Sequence, residues 1–121
     1  QTQASREAAV VNMFKILAAS GKLIKITELD VGITDASGNT ILTKNATKVH
    51  NEAIAAYYKF IITKYFEIIP KAQQFGITLW SPTDSPADSF WRAGEPIGLW
   101  DHHYERKPAY DGVAEALIES M

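Results

Sequence analysis

The feature that most limits the folds open to this chain is a repeated switch between helical and strand periodicity. Residues 5–19 carry Val10, Phe14 and Leu17, with Met13 between them, at helical spacing; Ser5 is placed to cap the start and Gly21 to end it in a left-handed turn. Residues 23–31 read as a strand, with Ile24, Ile26, Glu28 and Asp30 on one face and Lys25, Thr27 and Leu29 on the other. A second helix begins after Thr47, shows the stripe Ile54, Tyr58, Ile61, Tyr65 and Ile68, and stops near Pro70. Residues 76–81 form a second short strand, with Thr78 and Trp80 on one side and Ile77 and Leu79 on the other. Pro108 suits the first turn of a last helix that reaches about Glu119.

Helices alternating with strands imply a parallel sheet built from crossover units, and two strands alone do not make a stable one. Further strands are therefore expected to complete the sheet. In such folds the loops that follow the strands carry the site. Here those loops are the longest in the chain: residues 32–46, rich in turn formers such as Asp35, Gly38 and Asn39, and residues 82–107, which hold Trp91 and Trp100.

Composition removes several classes of function. The chain has 121 residues, 46% of them apolar and 21% charged, the profile of globular rather than disordered protein. A net charge of -2 leaves no basic footprint for nucleic acid and no polybasic segment for a membrane surface. Cysteine is absent, which removes disulfides and thiolate metal sites, and no apolar run approaches the ~20 residues of a membrane span. The first residue is Gln1, and a helical pattern starts almost at once; a processed product, or a piece cut from something longer, is expected.

The most specific stretch is Gly21-Lys22-Leu23-Ile24-Lys25-Ile26-Thr27-Glu28-Leu29-Asp30-Val31, an acidic pair two residues apart at the C-terminal end of a strand. It resembles the nucleophile strand of glycoside hydrolase family 10, the endo-1,4-β-xylanases, at every position. Gly76-Ile77-Thr78-Leu79-Trp80-Ser81 is similar to the family's eighth strand, followed at the family's spacing by Thr83-Asp84 and Ser89-Phe90-Trp91-Arg92. Arg106-Lys107-Pro108-Ala109-Tyr110 is similar to the family's ending, so the resemblance covers essentially the whole chain.

The resemblance implies the C-terminal part of a TIM (β/α)8 barrel, an α/β fold, with elements in the order helix 6, strand 7, helix 7, strand 8, helix 8. Residues 1–121 would then be one incomplete catalytic domain. It also implies a retaining mechanism, which needs two carboxyl groups about 5 to 5.5 Å apart, one ionised to attack and one protonated to release the leaving sugar. Glu28 matches the nucleophile. Asp30 matches the family's supporting carboxylate, which bonds a histidine from strand six that would lie just before Gln1. Trp80 and Trp91 match platforms for the sugar at the cleavage point, which suits the apolar C–H faces of a pyranose ring; Arg92 is a secondary contact, able to donate to hydroxyls.

The acid/base glutamate comes from strand four in the family and is absent here, so the chain alone is expected not to hydrolyse xylan. The partners implied are xylan or xylo-oligosaccharides and the N-terminal part of the barrel. Unpaired strands with apolar faces also invite self-association. A polymeric substrate implies a secreted or cell-surface enzyme. The competing readings are a fragment of another β-1,4-glycanase (a cellulase or mannanase), a non-catalytic carbohydrate-binding domain, and a small flavodoxin-like α/β domain, which would need at least two more strands than the sequence shows and a Gly-rich phosphate loop that it does not contain.

Other residues read as structural. His102 and His103 are adjacent, a poor spacing for binding one ion, and no Cys or acidic cluster joins His50; neither a metal nor a cofactor is implied. Asn45-Ala46-Thr47 fits a glycosylation sequon, but Thr47 is read as a helix cap. Tyr57, Tyr58, Tyr65 and Phe66 are read as core.

Overall fold

The computed structural model describes all residues, Gln1–Met121. Three helices and two strands alternate as expected: α1 (Gln3–Ala19), β1 (Ile24–Leu29), α2 (Lys48–Ile68), β2 (Gln74–Leu79) and α3 (Pro108–Glu119), with single 3-10 turns at Thr43–Asn45 and Lys71–Gln73. β1 and β2 pair in parallel and α2 is the crossover between them. No helix is long and apolar enough to cross a membrane.

Helix ends follow local chemistry. Thr47 caps α2 by accepting from the His50 amide, while the His50 ring accepts from the Thr47 amide at 3.0 Å. Pro108 occupies the first turn of α3, where its missing N–H costs nothing. The cap of α1 differs from expectation: it is Thr2, not Ser5. Ser5 sits three residues in, and its hydroxyl accepts from the Thr2 amide in return, so the helix starts earlier than its apolar pattern shows. Two glutamines add bonds to carbonyls at and just past the helix ends: Gln73 Nε2 donates to Ala18 and Lys22, and Gln74 Nε2 to Phe66 and Ile69.

α2 organises the core. Ile54, Tyr58, Ile61, Ile62 and Tyr65 are buried on it, joined by Phe14 of α1, Ile24, Leu29 and Val31 of the first strand region, and Val113 and Ala116 of α3. α3 approaches α2 so closely that a Cβ on Gly112 would collide with the Ala55 carbonyl. Phe14 meets the Tyr65 ring edge-on at 5.9 Å. All of this packs on one face of the strand pair. The other face is open, with Lys25, Thr27, Glu28, Phe75, Thr78 and Trp80 exposed.

Strand alternation departs from the reading of the sequence. Ile26 opposes Ile77 and Leu29 opposes Leu79, so β1 advances three residues where β2 advances two. This bulge at Thr27–Glu28 breaks the pattern that put Ile24, Ile26, Glu28 and Asp30 on one face. Instead Ile24, Leu29 and Val31 are all buried against the helices, with Ile26 packed beside them, and Glu28 is exposed. A second irregularity gives β2 the extra residue Phe75. Its N–H and that of Gly76 donate to the Tyr65 hydroxyl at 3.1 and 3.2 Å, and the hydroxyl donates to the Ile24 carbonyl at 2.7 Å. One phenol thus satisfies the groups that the irregular ladder leaves over.

Tyr58 performs the same service at the other strand end. Its hydroxyl accepts from the Val31 amide at 3.1 Å and donates to the Ile97 carbonyl at 2.6 Å, tying β1 to the loop that follows β2. Burial pushes this phenol up to about 12, against the pull of the Val31 amide. Below pH 10 it is protonated in both the folded and unfolded chain. Between about 10 and about 12 the unfolded chain loses the proton and the folded chain keeps it, so stability falls across that window, by up to about 3 kcal/mol. Urea unfolding at successive pH values should show this loss, and Tyr58→Phe should remove that part of the pH dependence while lowering stability at neutral pH.

Candidate active site at the strand ends

The exits of both strands meet at one end of the sheet. The Trp80 amide, one residue past β2, donates to the Leu29 carbonyl at 2.9 Å, which sets Trp80 beside the residue that follows Glu28. Trp80 and Trp91 are walls of one groove of 260 Å³, with Ser89 and Phe90 on its rim. Both indoles are about half exposed. Among residues other than glycine, only Ser81, Arg92 and Tyr104 have positive φ, and the first two directly follow these tryptophans. Such backbone persists where the surroundings over-determine it.

Trp91 is held at both ends. Its carbonyl accepts from the hydroxyls of Ser85 and Ser89 at 2.8 and 3.0 Å, and its indole N–H donates to Asp30 Oδ2 at 2.8 Å. The other Asp30 oxygen accepts from Arg92 Nη1 at 2.7 Å. Arg92 in turn grips Glu95 with two parallel bonds, Nε to Oε2 at 3.1 Å and Nη2 to Oε1 at 2.9 Å. Burial works against the Arg92 charge, but the bonds to Glu95 and Asp30 outweigh it and its pKa is raised. Asp30, Trp91 and Arg92, all singled out from sequence, are thus in direct contact. Glu28 is exposed and makes no side-chain hydrogen bond or ion pair within the chain.

The long loop keeps its shape through a buried ion pair. Lys107 Nζ donates to Asp84 Oδ1 and to the Pro96 carbonyl at 3.0 Å, and the Gly98 amide donates to the same Asp84 oxygen at 3.1 Å. Asp84 is 2% exposed and Lys107 7%. Sequence reasoning missed Glu95, Asp84 and Lys107 as parts of this scaffold. The Arg92-to-Glu95 spacing is a weak clue to their pairing, whereas nothing local links Asp84 to Lys107, 23 residues away. No group of three His, Asp or Glu side chains is placed to hold a metal ion. His102 contacts the Asp84 carbonyl at 3.2 Å, and His50 is engaged in the α2 cap.

The sequence profile of glycosyl hydrolase family 10 matches residues 1–116. The chain belongs to this family. Endo-1,4-beta-xylanase A of Cellvibrio japonicus (strain Ueda107) is 36% identical over 115 residues, a match that takes in 87% of this chain and 19% of that protein. Endo-beta-1,4-xylanase Xyn10C of Cellvibrio japonicus is 32% identical over 109 residues, 81% of this chain and 18% of its own length. Among solved structures, the catalytic core of xylanase A superposes with a TM-score of 0.73 at 32% identity, over 91% of this chain and 35% of that one. A mutant of xylanase 10C from Cellvibrio japonicus, solved in complex with xylopentaose, gives 0.77 at 28% identity, over 95% and 25%. The chain therefore spans about a fifth of its curated family 10 relatives and a quarter to a third of the solved family 10 chains. Its small parallel sheet under three helices corresponds to part of their TIM barrel.

Removing one partner of the buried pair leaves the other charge unpaired, a loss of about 3–5 kcal/mol. Lys107→Met should lower stability on that scale in urea unfolding. Because Trp91 rides on the loop, its fluorescence should change in the same variant, whereas an exposed substitution such as Lys48→Met should leave both unchanged.

Proposed function

We propose that the chain is the C-terminal portion of a retaining endo-1,4-β-xylanase that hydrolyses β-1,4-xylosidic bonds in xylan, with Glu28 as nucleophile. On this reading the elements are helix 6, strand 7, helix 7, strand 8 and helix 8 of the barrel. The observation that supports it most is the arrangement at the strand ends. An unencumbered carboxylate, Glu28, lies on the open sheet face, two residues before an Asp30 whose two oxygens are both engaged, one of them by the half-exposed Trp91 indole.

On this reading a xylose ring stacks by its C–H face on Trp80 and Trp91 and presents its anomeric carbon to Glu28. Attack by the carboxylate forms the carbon–oxygen bond of a glycosyl-enzyme as the glycosidic bond breaks, and the leaving oxygen takes a proton from an acid on the facing side. Water then adds to the same carbon, the facing group takes its proton, and Glu28 is regenerated with retained configuration. The facing acid belongs to the remainder of the barrel. Three of the five Arg92 N–H groups are committed inward, and the other two are its means of reaching a sugar hydroxyl.

The same reading accounts for the open sheet face. Leu23 and Phe75 are 63% and 65% exposed, apolar surface that the other strands of a barrel would cover. Alone, the chain self-associates through these edges and releases no sugar from xylan. A polymeric substrate places the enzyme outside the cell or on its surface.

In the full-length parent, Glu28→Ala should lower xylan hydrolysis by roughly 10⁴-fold or more, the scale of losing a nucleophile, without changing the thermal midpoint by more than a few degrees. Retention of full activity by that variant would end the assignment. Comparing sugar release from xylan, cellulose and mannan by the wild-type parent tests the substrate, with xylan expected to be the preferred polymer.

A further inference from the structure

The geometry points to Arg92, backed by Glu95, as a positioning residue that acts through Asp30: it fixes the carboxylate that holds the Trp91 indole and sets the charge facing Glu28. This rests on the reading of Glu28 as nucleophile and goes beyond a contact between Arg92 and sugar.

Four observations carry it. Arg92 Nη1 and Trp91 Nε1 divide the two Asp30 oxygens between them at 2.7 and 2.8 Å, so the carboxylate cannot turn without breaking one of the bonds. Glu95 holds the guanidinium from behind through both its oxygens, and the Arg92, Asp30 and Glu95 side chains are only 27%, 12% and 12% exposed. Gly32 gives up its side chain to this group, since a Cβ there would collide with Arg92 Nη2 and crowd Glu95 Oε1. Arg92 itself has φ of 48°, backbone that a surface arginine has no reason to adopt. The planar fork can meet two carboxylates at once, which an ammonium cannot do in fixed geometry.

Arg6 and Glu7 of α1 line the same groove as Asp30 and Arg92 and oppose each other in sign. Tyr58 of α2 stays neutral to about 12. Asp84 is balanced by Lys107. Arg92 is therefore the cation that directly offsets Asp30, which follows Glu28 by two residues, just past the end of β1. Without it, the Asp30 charge would bear on Glu28 uncompensated and make Glu28 harder to ionise.

The test is steady-state kinetics across pH in the full-length parent, with Arg92→Met, Arg92→Lys and Glu95→Gln beside Glu28→Ala. Arg92→Met should lower kcat about 10- to 100-fold, the scale of a misplaced reacting group, in addition to any rise in KM from the lost sugar contact. Its acid limb should move to higher pH, the direction expected when a cation near Glu28 is lost. Arg92→Lys should restore the acid limb and only part of kcat. Glu95→Gln, which keeps the cation and loosens its support, should lower kcat less than Arg92→Met does. A wild-type acid limb and kcat in Arg92→Met, or a loss confined to KM, overturns the proposal while an inactive Glu28→Ala leaves the nucleophile reading standing. An active Glu28→Ala strikes the nucleophile reading itself. If Arg92→Met does not fold, as judged by thermal unfolding, Arg92→Lys decides: reduced kcat with an unmoved acid limb supports the proposal, and unchanged kcat overturns it.

Discussion

Two tyrosine hydroxyls on one helix hold the strand pair in place, and the geometry of the strand exits depends on them. Tyr65 gathers a carbonyl of β1 and two amides of β2 at the start of the sheet. Two turns further toward the start of α2, Tyr58 joins the β1 exit to the loop after β2. A parallel ladder with an irregularity on each strand leaves polar groups over, and burying them unpaired would cost about 1–3 kcal/mol apiece. Both rings are buried and both hydroxyls are bonded, so α2 stabilises by apolar contact and by hydrogen bonding together.

The loop of residues 82–107 is held by the same logic. A loop this long without a regular element needs its own tertiary bonds, and it has the Asp84–Lys107 pair in its interior and the Arg92–Asp30 bond at its edge. The first anchors the loop to itself, and the second anchors it to β1. Trp91 sits between these anchors, its backbone held by serines and its indole by Asp30. On the proposed reading of Trp91 as a sugar platform, such support matters because an aromatic face can select a ring orientation only if it does not itself turn.

Much of this was legible in the sequence wherever the signal was local. Thr47 and Pro108 mark the starts of α2 and α3 through their own chemistry, and of the stripe Ile54, Tyr58, Ile61, Tyr65 and Ile68 the first four form the buried face of α2, to which Ile62 is added, while Ile68 is only partly buried. The acidic pair Glu28 and Asp30 stood out by motif, and the tryptophans by type. What escaped was set by partners far along the chain. The bulge at Thr27–Glu28 arises from pairing with β2, so counting alternate residues within β1 assigned Ile24 and Ile26 to the face of Glu28 and Asp30. The Asp30 carboxylate finds its donors 61 and 62 residues away, and Glu95 matters only because of what Arg92 does next to it. Capping of α1 by Thr2 was hidden because Ser5, the more obvious candidate, is its reciprocal partner.

Glu28 thus gains its meaning from its surroundings: exposed on the open sheet face, within a family 10 sequence, and two residues from an aspartate whose oxygens are both held by other residues. The most direct measurement is to trap the glycosyl-enzyme of the full-length parent with an activated 2-fluoro xylobioside and to map the modified peptide by mass spectrometry. The account predicts a single adduct on the peptide that contains Glu28, absent in Glu28→Ala. An adduct on a different carboxylate, with the Glu28 peptide unmodified, would contradict it.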